Sequence, residues 1–267
     1  MQGRNPIGPF IESIADVEGD PYCKGEFALV EKNPIYFRQL LAGVDVGRLD
    51  SSAKQMANFI YLIGDTATRE CLVVDPAWDI EGILKIINDD GMKLKGALVT
   101  HYHPDHVGGS IFGMNITGLS QLMEKNPVPI YVNKHEADGL KKVTGVSMSD
   151  MRMVDSEDTL KLGAHEITFL HTPGHTPGSQ CFRVRDSLLA GDTLFLQGCG
   201  RVDLPGGNSE EMFRTLTQRL AKIQDEIILY PGHNYGGQPS APFGEVRENN
   251  HYLRISRLED WLALMGG

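Results

Sequence analysis

The sequence has few cysteines, no long apolar segment and a deficit of positive charge. Its four cysteines are far apart and form no Cys-x-x-Cys pair, so they do not indicate a disulfide scaffold. No apolar run approaches the roughly 18 residues of a membrane-spanning helix, and the N-terminus lacks the apolar region of a secretory signal. We therefore expect no membrane segment and a reducing, cytoplasmic location. The cysteines are Cys23, Cys71, Cys181 and Cys199.

The 25 Lys and Arg residues are outnumbered by 35 Asp and Glu residues, which gives a net charge of −10. An acidic chain is poorly suited to holding a nucleic-acid backbone, so we expect no nucleic-acid partner. The chain also lacks a G-x-x-x-x-G-K-[S/T] loop and a G-x-S-x-G motif. These absences leave a small molecule as the expected partner and say nothing about the oligomeric state.

Residues 1–34 are rich in proline, glycine and acidic residues, which predicts an irregular N-terminal arm. We predict a single domain over residues 35–267, with a stable pattern of elements from about Asn58. Strands that come first in pairs and then alternate with helices predict an α/β (α+β) fold with two sheets and outer helices. The predicted elements include strands at 58–63, 70–75 and 160–170 and helices at 79–88 and 246–264.

Most of the histidines and two carboxylates follow short apolar runs that are predicted to be strands. The run GALV precedes Thr100-His-Tyr-His-Pro-Asp-His106, and the runs ITFL, SLLA and IILY precede the other three segments. Because side chains at strand ends converge on one rim of a sheet, we expect these groups to meet in one site. The candidate ligands are His101, His103, Asp105, His106, His175, Asp192 and His233.

The number of candidate ligands indicates two metal ions. Catalytic zinc typically keeps three protein ligands and an open position, so seven ligands are too many for one catalytic ion. Two sets of three plus one shared group account for all seven, and Asp192 is the predicted bridge because a carboxylate has two oxygens. A nitrogen and oxygen set without cysteine suits zinc first, with iron or manganese as alternatives. Two such ions bind a hydroxide between them.

The order His-x-His-x-Asp-His, a lone His, an Asp and a final His resembles the metallo-β-lactamase superfamily over about residues 56–267. The resemblance implies a four-layer αββα sandwich with the site on one edge of the two sheets. It also implies that His101, His103 and His175 hold the first metal and that Asp105, His106 and His233 hold the second, with Asp192 as the bridge.

Two branches of this superfamily imply different chemistry. Gly191-Asp-Thr-Leu-Phe195 and Gly198-Cys-Gly-Arg201 resemble glyoxalase II, the hydroxyacylglutathione hydrolase, which implies cleavage of a glutathione-type thioester by metal-bound hydroxide. Only 34 residues follow His233 in this sequence, too few for the helical domain with which glyoxalase II holds glutathione. The segment Gly198–Asp203 also resembles the persulfide dioxygenases, which implies one iron at His101, His175 and Asp192. A non-enzymatic metal-binding module is a third hypothesis.

Further roles are predicted for a few residues. His103 and Asp105 are the candidate catalytic residues, and Asp105 has a second predicted role as a proton acceptor. Arg201 is a candidate for binding a substrate carboxylate, although an ion pair with Asp203 explains it equally well. The other histidines are predicted to be structural, and His135-Glu136 is an incomplete H-E-x-x-H motif. They are His135, His165, His171 and His251.

Overall fold

The structure is a computed structural model that describes residues 34–111 and 113–265. The arm predicted over residues 1–34 therefore lies, apart from Pro34, outside the described residues. Within the described ranges, none of the helices is both long enough and apolar enough to cross a membrane. The three described cysteines are free thiols, two of them buried.

The first half of the described chain forms a six-stranded sheet, an additional hairpin and five helices. The strand order is β1-β2-β3-β4-β7-β8. The pairs β1–β2 and β2–β3 are antiparallel, whereas β3–β4, β4–β7 and β7–β8 are parallel. Strands β5 and β6 pair only with each other. The elements are β1 (Ile35–Leu41), α1 (Ser51–Met56), β2 (Phe59–Asp65), β3 (Glu70–Val74), α2 (Ile80–Asp89), β4 (Lys93–Leu98), α3 (Pro104–Val107), β5 (Gly109–Ile111), β6 (Met114–Ile116), α4 (Leu119–Lys125), β7 (Ile130–Asn133), α5 (Ala137–Thr144) and β8 (Met151–Val154).

The second half forms another six-stranded sheet, in the order β16-β15-β12-β11-β10-β9, in which only β12 and β15 are parallel neighbours. A short hairpin of β13 and β14 lies beside it. The elements are β9 (Thr159–Leu162), β10 (His165–His171), β11 (Gln180–Val184), β12 (Ser187–Gly191), β13 (Leu194–Phe195), β14 (Gly198–Cys199), α6 (Ser209–Arg214), β15 (Ile228–Pro231), β16 (Ala241–Pro242), α7 (Phe243–Asn249) and α8 (Leu258–Met265).

The two sheets pack face to face, and helices cover both outer faces. Ile63 and Leu72 of the first sheet and Phe169 and Phe182 of the second lie in the buried layer between them. Each such side chain contributes about 1.5–3 kcal/mol when it leaves water. Helices α2, α4 and α5 pack on the first sheet, and α6 to α8 pack on the second. This arrangement confirms the four-layer αββα sandwich.

Several predicted elements are confirmed. Strands β2 and β3 match the predicted strands at 58–63 and 70–75 to within two residues. Helix α2 begins after Asp79, whose side chain accepts a hydrogen bond from Gly82 N and caps the helix. The amphipathic pattern and the capping residue are both local signals, which explains why the sequence was sufficient here.

Three expectations differ from the structure. The stable elements begin at β1 and not near Asn58, because this edge strand is mostly half-buried and has no clear alternation. The strand predicted at 160–170 is two strands, β9 and β10, with a turn at Gly163, where φ is +58°. The helix predicted at 246–264 is interrupted after α7, because the Asn250 side chain caps a new turn by accepting from Tyr252 N.

Candidate metal centre

Loops at one rim of the two sheets carry the seven predicted ligands. His103 has extended backbone geometry before Pro104, the first residue of α3, so Asp105 and His106 lie in the first turn of that helix. His175 lies in the loop between β10 and β11, whereas Asp192 and His233 directly follow or nearly follow β12 and β15. The structure brings all seven side chains together at this rim.

The first group consists of His101, His103 and His175, whose ligand atoms lie within 4.8 Å of one another. His175 Nε2 is 2.9 Å from His103 Nδ1, and the His101 ring centroid is 4.7 Å from that of His103 and 4.8 Å from that of His175. The His101 Nε2 atom is buried, and none of the described residues gives it a hydrogen-bond partner. A buried ring nitrogen without a hydrogen-bond partner is typical of a histidine that binds a metal.

The second group consists of Asp105, His106 and His233, whose ligand atoms also lie within 4.8 Å of one another. His106 Nε2 is 3.2 Å from His233 Nε2, and Asp105 Oδ2 is 3.4 Å from each of these two nitrogens. A tetrahedron with metal–ligand bonds of about 2.0–2.1 Å has edges of about 3.3–3.4 Å. The three atoms are therefore spaced as three corners of a metal site.

Asp192 lies between the two groups. Its Oδ1 is 3.3 Å from His106 Nε2, and its Oδ2 is 3.3 Å from His233 Nε2 and 3.7 Å from His175 Nε2. Oδ1 is a further buried atom for which the described residues supply no hydrogen bond. The residues present thus fit two divalent ions that share this carboxylate.

The other ring nitrogens of the ligand histidines are held by the protein. His106 Nδ1 lies 3.0 Å from Asp75 Oδ2, and His233 Nδ1 donates to the Met56 carbonyl oxygen at 2.7 Å. His175 Nδ1 donates to the Arg201 carbonyl oxygen at 2.7 Å. Because a carbonyl oxygen accepts only, the Nε2 atoms of His175 and His233 are left free to face the centre.

A family model of the metallo-beta-lactamase superfamily matches residues 54–233 of this chain. The chain belongs to the metallo-β-lactamase superfamily. This result confirms the resemblance that the histidine motif indicated, and the matched range contains all seven candidate ligands.

Individual superfamily members differ in their named chemistry. The probable polyketide biosynthesis zinc-dependent hydrolase PksB of Bacillus subtilis is 29% identical over 202 residues, which cover 76% of this chain and 84% of PksB. The mitochondrial human persulfide dioxygenase ETHE1 is 27% identical over 236 residues, which cover 87% of this chain and 81% of ETHE1. The crystal structure of ETHE1 from Myxococcus xanthus is 27% identical with a TM-score of 0.69, covering 87% of this chain and 90% of that one.

Sequence reasoning missed Asp75, whose carboxylate contacts Thr100 and the Nδ1 atom of His106. Its Oδ1 accepts from Thr100 N at 2.8 Å, and its Oδ2 accepts from Thr100 Oγ1 at 2.6 Å. Thr100 Oγ1 in turn lies 2.9 Å from His101 Nδ1. Asp75 directly follows β3, so its position after an apolar strand was the available signal.

Glu136 was also missed, because it was considered only as part of an incomplete metal motif. Its buried carboxylate accepts hydrogen bonds from Tyr102 N at 2.8 Å, Thr176 Oγ1 at 2.7 Å and Gly178 N at 2.7 Å. Burial raises the pKa of Glu136 to about 7. Glu136 thus links the loop that carries His101 and His103 to the loop that carries His175. No local sequence pattern predicts these contacts.

Two histidines of the first group, His101 and His103, are held neutral. Burial and the neighbouring His106 ring lower the pKa of His101 well below its usual range. Burial and the nearby His175 ring lower the pKa of His103 to about 4. Neutral imidazoles are the form that binds a metal, so His101 and His103 require no deprotonation at neutral pH.

In the second group, a histidine is held protonated and the carboxylates are held ionised. Burial opposes a positive charge on His233, but Asp192 and Asp105 outweigh it and raise the pKa of His233 to about 9. Burial likewise opposes ionisation of the two carboxylates, and the surrounding histidines nevertheless hold the pKa of Asp105 and of Asp192 below the usual range. A cation that enters this group therefore displaces protons.

An exposed ion pair and two aromatic rings lie near the candidate ligands in sequence or in space. The exposed Arg201 guanidinium makes two hydrogen bonds to the Asp203 carboxylate, at 2.9 and 2.8 Å, so the ion pair weighed for it is present. The Tyr235 ring is 60% exposed and stacks on the His233 ring at 4.6 Å, with Phe195 5.3 Å from Tyr235. These two aromatic rings form a wall beside the second group.

The four histidines that were set aside lie outside this group of ligands. His135 and His171 stack on each other at 5.4 Å, and His171 Nε2 lies 2.9 Å from the Pro177 carbonyl oxygen. His165 is buried near Asp65 at the start of β10, and His251 is exposed at the start of the turn that follows α7.

Proposed function

We propose that this protein is a binuclear metal-dependent hydrolase that cleaves a glutathione-type or related small thioester. The observation that carries the proposal is the spacing of 3.2–3.4 Å among the ligand atoms of Asp105, His106 and His233, in addition to a complete first group. The proposed binuclear hydrolase uses both groups, whereas the single-iron enzyme that the resemblance implies uses only His101, His175 and Asp192. The hydrolase name of the PksB relative supports the same reaction class.

When bound, two zinc ions would supply a nucleophilic hydroxide at neutral pH and an electrophile for the carbonyl oxygen. The chain's own residues have separate tasks. Asp192 lies between the two groups of ligands, with Oδ1 near His106 and Oδ2 near His175 and His233. Asp105 stays ionised at neutral pH, so its carboxylate would accept a hydrogen bond from a water bound in the site. A thiolate leaves readily, so no strong protein acid is required.

The substrate is proposed to lie against the aromatic wall of Tyr235 and Phe195. Arg201 is the proposed partner of a substrate carboxylate, which would have to replace the carboxylate of Asp203. We expect the enzyme to work on this small molecule in the cytoplasm, without nucleic acid or a membrane surface.

Metal analysis and a thioester assay test the proposal. Protein purified without added metal is expected to contain about two divalent ions per chain and to hydrolyse S-lactoylglutathione. His103→Ala is expected to lose the activity and one of the ions. Undiminished hydrolysis by metal-free protein would contradict the proposal.

The ETHE1 relatives favour a second candidate, a persulfide dioxygenase with one iron held by His101, His175 and Asp192. Two histidines and one carboxylate are the set expected of a non-haem iron oxygenase. The variant His106→Ala separates the candidates because it removes a ligand of the second group only. Thioester hydrolysis is expected to fall by at least 100-fold in this variant, whereas oxygen uptake with glutathione persulfide would persist if the iron enzyme is correct.

A further inference from the structure

A side-chain amide lies against the second group of ligands. Asn58 is 1% exposed, directly precedes β2 and forms an isolated backbone bridge with His233. Its Nδ2 donates to Asp105 Oδ2 at 2.9 Å and lies 3.2 Å from His106 Nε2 and 3.4 Å from His233 Nε2. One atom of Asn58 therefore touches the ligand atom of every member of this group.

The orientation of this amide is determined by Trp78. The indole Nε1 of Trp78 donates to Asn58 Oδ1 at 3.0 Å. An indole N–H is a donor only, so the amide oxygen must face Trp78 and the NH2 group must face the ligands. A reversed amide would place its oxygen against the Asp105 carboxylate, which is repulsive.

Trp78 is itself held in an unusual conformation. Its φ is +74°, in the left-handed region that costs a residue with a side chain about 1–2 kcal/mol. Two hydrogen bonds keep it there: Trp78 N donates to the Thr117 carbonyl oxygen at 2.9 Å, and Thr117 Oγ1 donates to the Trp78 carbonyl oxygen at 2.8 Å. A strained residue that its surroundings hold from both sides points to a positioning role.

We propose that Trp78 and Asn58 are positioning residues that hold Asp105 for the second metal. Trp78 fixes the amide, and the amide donates to Asp105 Oδ2, so the carboxylate keeps its place 3.4 Å from both histidine nitrogens. Neither residue contacts the first group among the hydrogen bonds of the described chain. The pair thus determines how tightly the second ion is held and leaves the first ion unaffected. The inference depends on a second metal of the proposed centre but not on the thioester substrate.

The test uses the full chain, stripped of metal and titrated with zinc. Trp78→Phe keeps an aromatic ring and removes the N–H, and Asn58→Leu keeps the volume and removes the amide. Each is expected to weaken the second binding step by about 10–100-fold, as is typical for groups behind a metal ligand, with the first step unchanged. The absorption spectrum of cobalt-loaded protein is expected to lose only the second ion's contribution.

Trp261→Phe is the matched control. Trp261 is the only other tryptophan of the chain, is fully buried on α8 and donates through its Nε1 to Ser209 O at 2.8 Å. Its replacement removes an indole hydrogen bond from the core without touching the centre. We expect lower stability and two unchanged zinc steps.

The double variant Asn58→Leu/Trp78→Phe separates a relay from two independent effects. If Trp78 acts through Asn58, the double variant binds the second zinc as weakly as Asn58→Leu alone. A second step of wild-type affinity in Trp78→Phe, or an equal loss in both steps, would overturn the inference. If the variants bind zinc like the wild type and the wild type cleaves the thioester, this inference alone is wrong. If the wild type binds zinc in two steps but does not cleave the thioester, only the proposed function is wrong. A wild-type chain that binds a single ion defeats both.

Discussion

At the residue scale, a ligand histidine depends on the partner of its second ring nitrogen. Asp75 Oδ2 lies 3.0 Å from His106 Nδ1, and the same carboxylate accepts two hydrogen bonds from Thr100. With a carboxylate at Nδ1, the imidazole carries its proton there and presents Nε2 to the centre. One buried carboxylate thus orients His106 directly and His101 through Thr100.

Asp75→Asn is expected to weaken zinc binding by about 10–100-fold, since an amide has only one acceptor oxygen for three donors. Competition with a zinc-binding dye measures the change. Asp203→Asn is the matched control, because it removes a carboxylate whose partner Arg201 is exposed. Equal zinc affinity in Asp75→Asn and the wild type would contradict the proposed role.

At the scale of elements, β1 is joined to α2 by a polar cluster. Asp90, directly after α2, accepts from Tyr36 OH at 2.6 Å and from Arg38 Nε and Nη2 at 2.9 and 2.7 Å. Burial opposes ionisation, but the hydrogen bonds from Arg38 and Tyr36 hold the pKa of Asp90 below its usual range. A lowered carboxyl pKa stabilises the fold above the unfolded pKa and loses this effect as the pH falls through the folded pKa.

Asp90→Asn is therefore expected to lower the free energy of unfolding by about 1 kcal/mol at pH 7, and by less at a pH below about 4, the ordinary pKa of an aspartate. Urea unfolding at the two pH values measures both effects. The neighbouring Asp89→Asn changes the same charge but removes only an exposed pair with Lys85. If the two variants lose equal stability at pH 7, the cluster does not hold β1.

Glu136 connects elements from both halves of the chain. Its carboxylate accepts from the loop after β4 and from the loop after β10, and these two loops carry the first group of ligands. Glu136→Ala leaves these buried donors unpaired and creates a cavity. We expect a loss of about 2–4 kcal/mol in the free energy of unfolding and weaker binding of the first zinc.

Glu166→Ala is a suitable control for this variant, because Glu166 is exposed on β10. Chemical denaturation and zinc titration of the two variants distinguish them. A loss below about 1 kcal/mol in Glu136→Ala would show that the two loops do not depend on this carboxylate.

At the scale of the whole molecule, the candidate metal centre lies where the two sheets of the sandwich meet. Its candidate ligands follow β4 in the first sheet and β10, β12 and β15 in the second. The site consists of five imidazoles and two carboxylates, and five of these seven residues are buried. An ion that binds the folded state alone therefore stabilises both sheets together.

Removal of metal is expected to lower the thermal midpoint. At a free-ion concentration 100 times the Kd, binding contributes about 2.7 kcal/mol, which corresponds to roughly 5–10 °C in a protein of this size. Scanning calorimetry with and without a chelator measures the shift, and added zinc should restore it. A variant with His101→Ala and His233→Ala should be insensitive to the chelator. The same midpoint for chelated and zinc-loaded wild type would argue against a metal that binds the folded state.

The sequence by itself determined the family, the layered fold and the set of candidate ligands. Those signals are local: an apolar strand followed at once by a histidine or an aspartate, and a capped amphipathic helix such as α2. The tertiary structure alone decided which groups make hydrogen bonds to the candidate ligands and to the loops that carry them. Asp75, Asn58 and Glu136 lie 31, 47 and 40 residues from partners that they contact there. Hydrogen bonds over such separations depend on how strands pair and loops meet, and no residue pattern within one segment encodes that.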